Sequence, residues 1–111
     1  MEIQEKTITA SGVKFLLMHD GKEIARAFLY FLTNDLHDQP FALLEDVYVE
    51  EPYRGQGKGA QLVQRAIQEA KERGCYKLIC TSRHGREELH QWYQQLGFTH
   101  HGAEFRMDFK K

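Results

Sequence analysis

Two groups of residues in this chain have the types and spacing that chemistry requires. The first is Glu50–Ala60, EEPYRGQGKGA, which sets three glycines within five positions between Arg54 and Lys58. It follows an apolar run and precedes an apolar pattern of helical period. A helix N-terminus exposes unpaired amides and a partial positive charge, and glycines let the backbone curl around a phosphate oxygen. Arg54 adds a fork suited to phosphate and Lys58 a point charge. The group Arg54, Gly55, Gln56, Gly57, Lys58 and Gly59, with Ala60 at its edge, therefore reads as a cradle for an anion; the plainer alternative is a strand-to-helix turn with surface cations. The second group is Glu45 and Asp46, two carboxylates in the middle of the apolar run FALLEDVYV. In a regular strand they alternate between faces, so they cannot both do the same job directly.

Two common phosphate loops do not fit the glycine segment. The P-loop needs four residues between its glycines and then Gly-Lys-Ser/Thr, whereas Lys58 is followed by Gly59. Gly55-Gln56-Gly57-Lys58-Gly59-Ala60 does satisfy the dinucleotide pattern Gly-x-Gly-x-x-Gly/Ala. That fold, however, wants an acidic residue at the end of the next strand, and here the strand ends CTSR.

The elements that must position these residues follow from periodicity. Val13–Met18 and Ile24–Leu32 are apolar runs around Asp20-Gly21, a hairpin signal. Phe41–Val49 is a third strand. Leu62, Val63, Ala66, Ile67 and Ala70 recur at helical spacing and predict a helix from Lys58 to about Arg73, stopped by Gly74. Tyr76–Thr81 predicts a short buried strand. The loop SRHGREE follows, with Ser82 or Gly85 as a cap. Leu89, Trp92, Tyr93 and Leu96 predict a second helix ending at Gly97. Phe98–His101 and Glu104–Phe109 predict a closing hairpin. The expectation is an α/β (α+β) fold: a mixed, mostly antiparallel twisted sheet with two helices, in the order β-β-β-α-β-α-β-β.

The 111 residues suit one domain, residues 1–111, with one modest core. A formal charge of −1 points to no nucleic-acid or membrane partner, so local charge must carry any anion site. The N-terminus MEIQEKTITA is polar, and no apolar run approaches the ~18 residues of a membrane span. Cys75 and Cys80 make no disulfide framework and, placed in one strand, would point to opposite faces. A cytoplasmic protein with reduced thiols is expected. The six histidines show no metal-ligand spacing with the cysteines, so no metal is expected.

With these motifs in hand, the chain resembles the GNAT family of N-acetyltransferases, which use acetyl-CoA. The family signature Gln/Arg-x-x-Gly-x-Gly/Ala is met by RGQGKG, Arg54–Gly59. LEDVYVEEPYRGQGKGAQLV resembles the family's central strand, pyrophosphate loop and following helix, and LHQWYQQLGF its later helix. The resemblance covers about residues 41–109. It implies that the loop amides hold the CoA pyrophosphate. It also implies that Val47, Tyr48 and Val49 pair with the pantetheine arm in a splay between the central strand and the one starting at Tyr76.

Acetyl transfer to an amine needs a base, an oxyanion donor and an acid. A lysine-like amine of pKa near ~10.4 is almost wholly protonated at neutral pH, so a carboxylate or a water it holds is a suitable base. The resemblance makes Glu45 that base, with Asp46 assisting or orienting, and Tyr93 the acid that protonates the departing thiolate. Trp92, roughly 100° away on the helix, would face the core. The amide of Val49 is the expected oxyanion donor. Cys80 reads as a core residue, since transfer can be direct.

Two departures from the family are visible. Arg86 stands where many members carry an asparagine, and a tight turn replaces the helices that usually lie between the first strands and wall the acceptor pocket. Either the acceptor site is open, or a second subunit completes it; a homodimer is expected, given long apolar strands and an unprotected sheet edge. The acceptor is an amine on a small molecule or a protein. The competing function is a non-catalytic CoA-binding or interaction module.

Overall fold

The computed structural model describes residues 1–81 and 87–109. The loop caps Ser82 and Gly85, and Arg86, lie outside them. The elements run β1 (Ser11–His19), β2 (Lys22–Leu32), β3 (Phe41–Val49), α1 (Lys58–Glu72), β4 (Leu78–Cys80) and α2 (Glu87–Gln95), with a 3-10 turn at Glu51–Tyr53. The chain divides into two compact units, Met1–Cys80 and Thr81–Lys111.

The first unit is a four-stranded sheet in the order β1-β2-β3-β4, covered on one face by α1. The first three strands are antiparallel and β4 runs parallel to β3. Asp20 and Gly21 both take positive φ in the two-residue turn, 51° and 73°, which is what a primed hairpin turn demands. Cross-strand pairing sets the faces. Phe31 lies opposite Ala42 and Leu29 opposite Leu44, all four buried. Leu62, Val63, Ala66 and Ala70 of α1 complete that core. Alanines at 25, 27, 42, 66 and 70 leave room for helix and sheet to approach closely.

Both helices end as their glycines predict. After α1, the Cys75 N–H donates to Ala70 O and the Gly74 N–H to Lys71 O, with Gly74 at φ 73°. After α2, the Phe98 N–H donates to Tyr93 O and the Gly97 N–H to Gln94 O, with Gly97 at φ 106°. Each is a Schellman stop, in which the left-handed glycine lets two otherwise orphaned carbonyls find donors.

Two expectations need correction. Cys75 lies before β4 and only Cys80 within it, so the two thiols share no strand; both are free. The closing hairpin is absent: among the described residues none from 98 to 109 is in a strand. A two-stranded hairpin has little to hold it in water unless one face packs. Here Phe105, Met107 and Phe109 are 95%, 76% and 92% exposed.

Candidate active site

The site is organised by an irregularity in β3. Arg26 pairs with Tyr48 and Phe28 with Glu45, so two residues of β3, Asp46 and Val47, stand opposite the single Ala27. This is a β-bulge, and Asp46 holds it with φ 54°, a left-handed conformation that Asp tolerates better than most residues. The bulge changes which side chains share a face. Glu45 and Tyr48 are three apart and would oppose one another in a regular strand. Their partners Phe28 and Arg26 are two apart on β2, so both project on the face opposite α1. Asp46 is exposed and Glu45 half-buried. The simple alternation expected for the carboxylate pair is thus replaced by a bulge in which Asp46 takes the left-handed position.

Beyond the bulge, β3 loses its second neighbour. Pairing with β4 covers only Ala42–Leu44 against Leu78–Cys80, leaving Glu45–Val49 with β2 alone among the described residues. Beyond Leu44 this edge of β3 forms a notch in the pairing among the described residues, and β4 is shorter than the expected Tyr76–Thr81. The Glu50 N–H donates to Ile24 O at 2.8 Å. Antiparallel ladders alternate, so the intervening Val49 N–H turns away from β2 and into the notch. An extended chain laid there would meet strand-like donors and acceptors.

The glycine loop follows directly. Gly55 and Gly57 have φ 77° and 78°, and a Cβ at either would meet nothing within 4 Å. Glycine is needed there for backbone conformation, and the space over the loop is open. Gly57 is the N-cap of α1 and supplies no side-chain cap. The first intrahelical bond runs from the Gln61 N–H to Gly57 O, so the Lys58, Gly59 and Ala60 amides are the orphan donors of the first turn. A hollow of about 250 Å³ adjoins the loop, lined by His19, Ile24, Tyr53, Gln56 and Lys58 among others. A larger one, about 340 Å³, is lined by Thr9, Phe31, Thr33 and Arg73 and includes none of the candidate residues.

Arg54 does something its charge alone did not reveal. Its Nε–H donates to Val49 O at 2.8 Å, and its guanidinium lies 5.2 Å from the Tyr48 ring centre. Arg26 lies 5.1 Å from the same ring and is itself held by Glu23 and by Glu50, the latter at 2.7 Å. The hydrogen bonds from Lys14 and then Arg26 hold the Glu23 carboxyl below the usual carboxylate range, and those to Glu50 and Glu23 raise Arg26 above its own. This chain of contacts ties the loop's first residue to the end of β3. Arg26 and Glu23 were missed in the sequence. Their signal was a charged residue inside the apolar run IARAFLYFL, two positions from the Phe28 that faces Glu45.

Cys80 ends β4 beside this notch. Burial, and then the Glu45 carboxylate, push its thiol up to about 11. It is protonated at neutral pH, which agrees with a structural rather than a nucleophilic role. No group of three or more His, Cys, Asp or Glu able to hold a metal occurs among the described residues.

Tyr93 belongs to the second unit. It sits on α2 with its ring 5.0 Å from that of Trp92 and 5.6 Å from that of Phe98, both edge-on. The Phe98 contact is the apolar closure of the Schellman stop. Trp92 and Tyr93 are both half-buried. His100 and His101 are exposed, with the His100 ring 5.0 Å from His90.

Several known proteins are similar to this chain. Glucosamine 6-phosphate N-acetyltransferase of Trypanosoma brucei brucei is 37% identical over 65 residues, 59% of this chain and 42% of that protein. Glucosamine 6-phosphate N-acetyltransferase 1 of Oryza sativa subsp. japonica is 37% identical over 68 residues, 60% of this chain and 38% of that protein. The match thus spans about two fifths of the length of these curated relatives. The crystal structure of a Trypanosoma brucei acetyltransferase superposes with a TM-score of 0.82 at 29% identity, covering 88% of this chain and 69% of that one. The acetyltransferase (GNAT) family description matches residues 2–98, and the chain belongs to that family.

Proposed function

We propose that this chain moves an acetyl group from acetyl-CoA directly to a primary amine. The observation that carries the reading is the notch beyond Leu44–Cys80, opening next to a glycine loop whose first-turn amides lack acceptors. The notch suits an extended pantetheine arm and the loop a pyrophosphate. Acetyl-CoA supplies the activated thioester, and the residues of the chain do the rest. Glu45, directly or through water, takes the proton from the acceptor amine as its nitrogen bonds to the thioester carbon. The Val49 N–H receives the tetrahedral oxyanion. As the carbon–sulfur bond breaks, Tyr93 gives the leaving thiolate its proton. Asp46 orients the end of the strand through the bulge.

The related proteins are named for acetylating glucosamine 6-phosphate, so that amine heads the acceptor series, followed by other small amines and peptide amines. A second copy of the chain completes the acceptor wall in this reading. The test is thiol release on mixing the protein, acetyl-CoA and each amine, with Gly57→Glu in parallel. Release with at least one amine, abolished together with CoA binding in folded Gly57→Glu, is the expected result. CoA binding without release across the series would identify a binding module instead.

A further inference from the structure

Val49 is the last residue of β3, and both of its polar backbone groups point to the open side of the strand. The next amide, the Glu50 N–H, goes to Ile24 O on β2, so Val49 N–H and C=O face the other way. The carbonyl does not stay open, because Arg54 Nε donates to it at 2.8 Å. The Val49–Glu50 peptide is therefore held at both ends, and since a peptide unit is planar its orientation is set. At this residue the open edge is left with an N–H beside a carbonyl already turned to a cation.

An exposed arginine ordinarily gains little from one such bond. Here the guanidinium is also supported. It lies 5.2 Å from the Tyr48 ring centre, and Arg26 lies 5.1 Å from the same centre. Arg26 pairs with Tyr48 in the ladder and is fixed by ion pairs to Glu23 and, at 2.7 Å, to Glu50. The support thus runs from two carboxylates through Arg26 and the Tyr48 ring to Arg54 and Val49 C=O. The orphan amides of Lys58, Gly59 and Ala60, by contrast, lie beyond Gly55 and Gly57 and do not depend on that bond.

We propose that Arg54 is a positioning residue for the Val49 N–H, and that its side chain serves turnover rather than affinity for the cofactor. Tying down Val49 C=O keeps a lone pair away from the developing oxyanion and holds the neighbouring donor in place before the reaction begins. This rests on the acetyl-transfer reading and deepens it.

The test compares Arg54→Met, which keeps reach without a donor, with Arg54→Lys, which keeps charge and a donor, both in the full chain. Three quantities are measured: CoA affinity by calorimetry, turnover with the accepted amine, and amide hydrogen exchange at Glu50 and Ala42. In Arg54→Met, turnover should fall roughly 10–10²-fold, as for a small misplacement at a reacting centre. CoA affinity should stay within about threefold, the split expected when only a transition-state interaction is lost. The Glu50 amide should exchange about tenfold faster and the Ala42 amide, which donates to Lys77 O, should not change. Arg54→Lys should recover part of both turnover and protection. Weakened CoA binding with turnover preserved in Arg54→Met would make Arg54 a phosphate ligand and overturn the proposal. So would an unchanged Glu50 amide, or Arg54→Lys as impaired as Arg54→Met in both readouts. A wild-type chain that releases no thiol with any amine would count against acetyl transfer itself, and the exchange at Glu50 would still decide whether Arg54 holds the strand end.

Discussion

From Phe41 to Leu44, β3 has β2 on one side and β4 on the other, and Ala42 and Leu44 are buried at 0% and 2% exposure. From Glu45 to Val49 the same strand keeps only β2, bulges at Asp46 and presents Tyr48 and Asp46 to solvent. In the first half the backbone has no groups to spare and the side chains can only pack. In the second, loss of one neighbour releases every other N–H and C=O, while the bulge re-aims the side chains between them. A single strand thus changes from scaffold to candidate site over one residue, and substitutions on either side of that point should fail in different ways.

The largest effects on turnover are expected at Glu45 in the open half and, under the proposed mechanism, at Tyr93 of α2. Glu45→Gln keeps shape and removes the proposed base, and Tyr93→Phe keeps the ring and removes the proposed acid. Each is expected to lower turnover by roughly 10²–10⁴-fold, with apparent affinity for acetyl-CoA little changed and melting near that of the wild type. Steady-state kinetics with the accepted amine is the check. Near-normal turnover in Tyr93→Phe would leave that residue only its packing against Trp92 and Phe98.

Leu44→Ala, one residue before Glu45, should reverse the pattern. It deletes a fully buried side chain facing Leu29 and α1, and a loss of about 2–5 kcal/mol in urea unfolding is expected. CoA affinity measured on the folded fraction should hold. Comparable damage to stability from Glu45→Gln would mean that the two halves are not distinct.

Asp46 stands at the join. Asp46→Val forces a β-branched residue into the left-handed region, which should cost about 1–3 kcal/mol or flatten the bulge, whereas Asp46→Gly accepts the conformation freely. If the bulge is what Asp46 provides, Gly should keep more activity than Val, although both lack the carboxylate. Equal loss in both would restore a direct chemical role to that carboxylate.

The contrast within β3 also marks what could be read from residues alone. Its span, the Asp20-Gly21 turn, both helices and the glycine loop each rest on a local signal: periodicity, a turn dipeptide or a left-handed glycine. The bulge has no such signal, because LEDVYV is compatible with regular alternation and the extra residue exists only relative to β2. Arg54 was legible as a cation but not as a brace, since its bond to Val49 O depends on how the chain folds back through the 3-10 turn. Of the two strands expected after Gly97, Glu104–Phe109 has a strand's period. Period describes a face, not a partner, and none of the described residues pairs with them.

The smallest effect, and the one that probes the notch without catalysis, concerns Cys80. Burial raises its thiol first and the Glu45 carboxylate second, to about 11, against an ordinary thiol near ~8.5. Alkylation proceeds through the thiolate, so at pH 8 Cys80 should react on the order of 10²-fold more slowly in the folded chain than in urea. Glu45→Gln removes the smaller of the two causes, so it should speed alkylation modestly and leave most of the protection in place. The sign for stability follows from the same shift. A thiol whose folded pKa lies above its unfolded value contributes stability in full below the unfolded value and loses it as pH rises toward about 11. Cys80→Ala should therefore flatten the fall in stability over that alkaline window. Peptide-resolved alkylation rates decide the point: no change in Glu45→Gln would place the carboxylate too far from Cys80 to line the notch, and the base assigned to the open half of β3 would have to be sought elsewhere.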